Sequence, residues 1–190
     1  MQYYLKLFLV FFILKTTLEA AAQSGNGHYY NAETARTPDK INKKFPYDIE
    51  LKAADGKVSN SAQLLKNNGK PTVLIFWLTT CFPCRLELEA VKKNYENWKK
   101  EADFNLFAIS TDFEHNYPNF VKRVQESNWG FSAFNDLNRE FCKVMPGELN
   151  GLPQVFLLDA TGQIVYQHRR YTPGDEATLL DEIKKIAPKP

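Results

Sequence analysis

The clearest pattern in the chain is Thr72 to Leu78 (TVLIFWL), an apolar run of the kind a central strand shows when both faces are covered. After it, Cys84, Leu88, Val91, Tyr95 and Trp98 recur at spacings of 4, 3, 4 and 3, which places them on one stripe of a helix. Phe104 to Ser110 (FNLFAIS) reads as a second strand. Pro118 stands at a plausible first helical position and opens a helix to about Ser127, with Phe120, Val121 and Val124 facing inward. Val155–Asp159 and Ile164–His168 are two strands joined by Ala160-Thr161-Gly162, a hairpin. The last helix is expected to start at a Thr172 cap, with Pro173 in its first turn and Asp175 three residues after the cap, and to bury Leu179, Leu180, Ile183 and Ile186. Upstream, Ile49 and Leu51 alternate with polar neighbours and Asp55-Gly56 supplies a turn, so a small hairpin is expected over 47–59, followed by a short helix over Ser61–Lys66. Strand–helix–strand units demand parallel pairing and the late hairpin demands antiparallel pairing. The fold class is therefore α/β, a mixed central sheet flanked by helices with an N-terminal β-hairpin extension.

The first residues follow another logic. Leu7–Leu14 (LFLVFFIL) is apolar, preceded by Lys6 and followed by small residues around Ala20-Ala21-Ala22. A bilayer span needs about 20 apolar residues, and this run has the proportions of a secretory signal peptide over 1–22, cleaved after Ala22. The alternative is an uncleaved N-terminal anchor, for which Lys15 directly after the apolar run speaks. Residues 23–45 are polar and read as a flexible leader, and 46–190 as the folded domain. Export places the chain in an oxidising compartment. The absence of any N-x-[ST] sequon suits a periplasmic or extracytoplasmic location.

Composition narrows the functions. At 190 residues, 44% hydrophobic and with three cysteines, the chain suits one packed domain rather than a disordered or disulfide-stapled one. A net charge of +2, from 24 Lys+Arg and 22 Asp+Glu, gives no electrostatic signature of a nucleic-acid partner.

The chemistry lies at Cys81-Phe82-Pro83-Cys84, where the buried strand hands over to the helix. A thiolate at a helix N-terminus faces unpaired N–H groups and the positive end of the macrodipole, both of which favour the anion. The thiolate is the nucleophile of disulfide exchange. Cys81 is expected at the exposed cap and Cys84 one turn later on the buried stripe, so that the outer sulfur exchanges and the inner one resolves the mixed disulfide.

With these residues in view, Ile75-Phe76-Trp77-Leu78-Thr79-Thr80-Cys81-Phe82-Pro83-Cys84 resembles the active-site strand and helix start of thioredoxin-like proteins, most closely their TlpA/ResA extracytoplasmic branch. The likeness covers about Phe45 to Ala187 and includes Gly151-Leu152-Pro153-Gln154. It implies a thioredoxin-like fold and a cis Pro153 facing the disulfide, with the Leu152 backbone offered to a client peptide. Phe82, Pro83, Leu152 and Pro153 are then the substrate-binding positions, and Cys81, Cys84 and Glu87 the catalytic ones. Glu87 matches a Cys-x-x-Cys-x-x-Glu pattern of that branch. As an i, i+3 neighbour of Cys84 it can influence the thiols or relay a proton, the plainer alternative being a favourable acid in the first helical turns. Three departures from family patterns stand out: Ile75 where thioredoxin has a buried Asp, Thr80 for the usual Trp before the first cysteine, and Leu88-Glu89 where a proline commonly follows the glutamate.

The resemblance implies an exported thiol–disulfide oxidoreductase, as a reductant sooner than an oxidant, with cytochrome c maturation as one setting. Its partners would be client proteins with cysteines or disulfides and a membrane thiol electron donor or acceptor. No cofactor is expected beyond a redox-active Cys81–Cys84 disulfide, and no metal. A competing class is a copper-binding assembly protein using Cys81, Cys84 and a histidine such as His168, since soft thiolates select Cu(I). A peroxidase of the same broad fold and a structural zinc site are weaker, the latter because a second CxxC is missing. Outside the motif, Phe76 and Trp77 read as core. Cys142 reads as a small buried apolar residue, or alternatively as a third redox thiol, and His168 as structural or surface. Lys92-Lys93 and Lys99-Lys100 read as the solvated face of the active-site helix.

Overall fold

The computed structural model describes Phe45, residues 48–65 and residues 68–190. The expected signal segment lies outside the described residues, as does the leader except for Phe45. That residue is packed in the core: it is 3% exposed, its N–H bonds the Gly162 carbonyl at 2.9 Å, and its ring stacks on Phe141.

Strands β1 (Glu50–Ala53) and β2 (Val58–Asn60) form the expected hairpin, and α1 (Ser61–Leu64) follows, capped by the Asn60 side chain. Then come β3 (Thr72–Trp77), α2 (Phe82–Glu101), β4 (Asn105–Ser110) and α3 (Tyr117–Ser127). Strand β5 (Ser132–Asn135) and the short helix α4 (Glu140–Val144) precede β6 (Gln154–Leu158), β7 (Ile164–Arg169) and α5 (Asp175–Ile186). The sheet order is β2-β1-β5-β4-β3-β6-β7. Strands β3, β4 and β5 run parallel, as the connections through α2 and α3 require, while the remaining pairs are antiparallel. The sequence pattern does not announce β5. It is the piece that joins the N-terminal hairpin to the sheet, through Lys52↔Asn135 and Ala53↔Phe134.

All six residues of β3 are buried, because the sheet is covered on both faces. Val73, Ile75 and Trp77 point into one core with Leu88, Val91 and Trp98 of α2, Phe120 of α3, and Leu179 and Ile183 of α5. Leu74 and Phe76 point into the other, with Leu51, Leu65, Phe141, Phe156 and Ile164. The stripe expected on α2 is buried throughout, from Cys84 to Trp98.

The start of the last helix differs from expectation. Helix α5 begins at Asp175 with Gly174 as its cap, at φ +104°, so Thr172 is not the cap. The Asp175 carboxylate still accepts the Thr172 N–H at 2.8 Å, and the Asp175 N–H bonds the Thr172 carbonyl at 3.0 Å. This reciprocal pair closes a turn around Pro173-Gly174. Glycine then takes the left-handed conformation at little steric cost, and the helix begins beyond it.

Candidate active site

Strand β3 ends at Trp77, and the chain turns through residues 78–80 into the cap of α2. The turn is fixed by Asp112, just beyond β4: its carboxylate accepts the Thr79 N–H at 2.8 Å, the Thr79 hydroxyl at 3.0 Å and the Ser110 hydroxyl at 2.7 Å. Cys81 is the N-cap of α2, and Pro83 occupies the first turn, where a missing N–H costs nothing. Cys81 and Cys84 are joined in a disulfide, with S–S 2.04 Å and Cα atoms 5.3 Å apart. Cys81 Sγ also accepts the Cys84 N–H at 3.2 Å. The two sulfurs are unequal in access: Cys81 is partly exposed, whereas Cys84 is fully buried on the α2 stripe. No acidic residue lies in the first turn, so the helix terminus keeps its positive character beside Cys81.

Phe82 and Pro83 stand on the outer surface of this turn. Phe82 is 59% exposed, with the Arg85 guanidinium 5.3 Å from its ring centre. The Leu152–Pro153 peptide is cis, preceded by Gly151 at φ +79°. In the β3–β6 ladder Phe76 pairs with Gln154, so Pro153 sits at the end of the sheet from which β3 leads to Cys81. Leu152 and Cys81 both pack against the same core. The Pro153 carbonyl accepts the Arg170 N–H at 2.7 Å, whereas no hydrogen bond among the described residues engages the Leu152 backbone.

Glu87 is 2% exposed, one turn below Cys84. Its Oε1 lies 2.7 Å from Nε2 of His168, itself 6% exposed, and the other ring nitrogen of His168 is 3.1 Å from the Tyr166 hydroxyl. Glu87 Oε2 is enclosed, and no donor among the described residues reaches it. His168 therefore has defined partners and a buried place, which corrects the sequence-based expectation of a surface option. Sequence reasoning missed the pair because its members are 81 residues apart. The nearby Tyr171 phenol is pushed up to about 12 by burial first, then by its hydrogen bond to Glu176, with the Glu87 charge adding to the effect.

The copper alternative finds no support in this geometry. Among the described residues no three His, Cys, Asp or Glu side chains gather into a metal-binding group, and Glu87 occupies His168 Nε2. Cys142 is free and partly rather than fully buried, with the Arg139 guanidinium 3.8 Å from its sulfur. Of the lysine pairs, Lys93, Lys99 and Lys100 are exposed, while Lys92 is half-buried and donates to the Ser127 carbonyl.

A CxxC disulfide at the tip of a helix, following the central strand of a mixed sheet and accompanied by a cis proline, defines the class: a thioredoxin-like thiol–disulfide oxidoreductase. The chain belongs to the AhpC/TSA family, whose model matches residues 41–167. No curated protein matches it in sequence. Among solved structures it is similar to a thioredoxin-like protein from Porphyromonas gingivalis, at 32% identity over 73% of this chain and 89% of that one, with a TM-score of 0.63. It is also similar to a thiol:disulfide interchange protein of the thioredoxin family from Chlorobium tepidum TLS, at 25% identity over 80% and 97% of the two chains, TM-score 0.57. The thioredoxin domain of a thiol-disulfide oxidoreductase from Bacteroides vulgatus shares the fold at 23% identity, over 78% and 98%, TM-score 0.60.

Proposed function

We propose that this protein is an exported reductant of client-protein disulfides, working through Cys81 and Cys84. The observation that carries the proposal is the unequal access of two bonded sulfurs at a helix N-terminus, Cys81 half-open and Cys84 enclosed. In the reduced enzyme, the Cys81 thiolate attacks one sulfur of the client disulfide. An enzyme–client S–S bond forms, the client's own S–S bond breaks, and the second client sulfur leaves with the electron pair. Cys84 then gives up its proton and attacks Cys81 Sγ. The 81–84 bond forms, the enzyme–client bond breaks, and the client departs as a thiolate that takes a proton from solvent. The client gains two electrons and the enzyme loses them.

Phe82 and Pro83, exposed on the outer lip, and the half-buried Leu152, with the cis Pro153 buried behind it, are the residues along which a client strand would lie. The uncommitted Leu152 backbone suits strand-like hydrogen bonding there. The 81–84 pair is the only redox centre this chemistry requires. Export rests on the apolar run at Leu7–Leu14. Among the described residues no helix is long and apolar enough to cross a membrane. Reduction outside the cytoplasm needs a replenishing donor, and a membrane thiol carrier is the class that fits. Apocytochrome c haem-attachment cysteines are the client class that the family resemblance suggests.

Equilibration of the 81/84 pair with glutathione, read as a reduction potential, tests the direction. A value near −270 mV or lower is expected, about that of thioredoxin, and one near −120 mV, about that of a strong oxidant, would reverse it.

A further inference from the structure

We propose that His168 is a positioning residue for disulfide exchange, acting through Glu87 with Tyr166 behind it: it holds Oε1 of the Glu87 carboxylate, so that Oε2 stays bare to take the proton that leaves Cys84. The inference rests on the function proposed above and deepens it.

The geometry comes from three elements. Helix α2 carries Cys84 and Glu87 on its buried side at i, i+3, a spacing that makes them neighbours. Strand β7 carries Tyr166 and His168. Their cross-strand partners Leu157 and Val155 belong to the core beneath α2, so both side chains stand on the α2 side of the sheet. Glu87 Oε1 meets His168 Nε2 at 2.7 Å and the Tyr166 hydroxyl meets Nδ1 at 3.1 Å. One protonation pattern satisfies both contacts with a neutral ring: the Tyr166 O–H donates to Nδ1, and the Nε2–H donates to the Glu87 carboxylate. Oε2 then remains the one Glu87 oxygen with no donor among the described residues, enclosed on the residue one helical turn beyond the Cys84 thiol that must be deprotonated.

A buried carboxylate is costly without a partner, and His168 is the only side chain among the described residues that donates to it. Two phenols stand by the pair, Tyr166 on β7 against His168 and Tyr171 before α5, which feels the Glu87 charge and whose own neighbours are Asp175 and Glu176 at the start of α5. With Nε2 already protonated, the proton released by Cys84 goes to the bare Oε2, and Glu87 becomes a neutral acid whose Oε1 still accepts from Nε2–H. The Tyr166 hydroxyl, donating to Nδ1, keeps the ring in the tautomer that presents Nε2–H to Glu87.

The test uses the full chain in its reduced form and a short peptide with one internal disulfide as probe. The rate at which the fully reduced peptide leaves the enzyme is followed from about pH 5 to 9. Wild type is expected to slow on acidification as the Cys81 thiolate is protonated. His168→Leu removes the donor to Glu87 Oε1 and is expected to be about tenfold slower at neutral pH. His168→Gln can still donate to Glu87 and is expected to recover most of the wild-type rate. In a Glu87→Gln background, His168→Leu is expected to have no further effect, because His168 acts through Glu87. A His168→Leu rate equal to wild type, a His168→Gln rate as low as that of His168→Leu, or an undiminished His168→Leu effect in the Glu87→Gln background, would overturn the inference. Absence of exchange by wild type itself would instead overturn the proposed function beneath it.

Discussion

Asp112 holds Thr79 by both the backbone N–H and the side-chain hydroxyl, at 2.8 and 3.0 Å, and is itself 1% exposed. The contact ties the end of β4 to the turn that delivers Cys81. A loop that must present a sulfur at one place is thereby anchored to the most buried part of the sheet. Asp112→Ala removes the acceptor for three donors and leaves the Thr79 N–H and Ser110 hydroxyl without it. A loss of about 2–3 kcal/mol is expected, since bonds to a charged group are worth more than neutral ones. Urea unfolding measures it. A loss below about 0.5 kcal/mol, the lower end for a single hydrogen bond, would mean that the turn is held by something else.

Trp77 closes β3 with no exposed surface, its ring 5.2 Å from Trp129 and 6.1 Å from Phe120. Trp77→Ala leaves a cavity under the active-site turn and is expected to cost about 3–5 kcal/mol. Trp77→Phe, which keeps the aromatic contact, is expected to cost less. Denaturant midpoints at unchanged m-value distinguish lost packing from a changed unfolded state.

The Tyr171 phenol gives an alkaline signature. It keeps its proton in the folded chain to about pH 12, against an ordinary value of 10.0. Between those values the folded state binds a proton that the unfolded state has released, so this group's stabilising contribution is full below pH 10.0 and is lost as pH rises to about 12. Tyr171→Phe is therefore expected to show a shallower decline of melting temperature across that window than wild type. Equal slopes would contradict the assignment.

Long, strongly patterned elements were legible in the sequence. The apolar run of β3, the stripe of α2 and the CxxC at their junction all follow from local spacing, as does the hairpin of β6 and β7. Strand β5 was not legible, because Ser-Ala-Phe-Asn carries too little alternation to declare itself and forms by pairing between β4 and β1. The site divides in the same way. Cys81, Cys84 and Glu87 lie within one helix start, and a helix brings them together whatever surrounds it. The partnership of Glu87 with His168 depends on sheet register. A simple two-residue period would put Ile164, Tyr166 and His168 on one face. A bulge at Leu157/Leu158 breaks that period, sending Ile164 into one core and Tyr166 toward the other. Ile75 on β3 is apolar and fully buried, and the enclosed carboxylate near the CxxC comes from α2.

The central claim is that Cys81 attacks and Cys84 resolves. Intact-protein mass spectrometry of single-cysteine variants, after incubation with a disulfide-bonded peptide, tests it directly. Cys84→Ala is expected to accumulate one covalent peptide on Cys81, releasable by dithiothreitol, while Cys81→Ala accumulates none because the remaining sulfur is enclosed. Adducts of equal yield on both variants, or none on Cys84→Ala, would contradict the account.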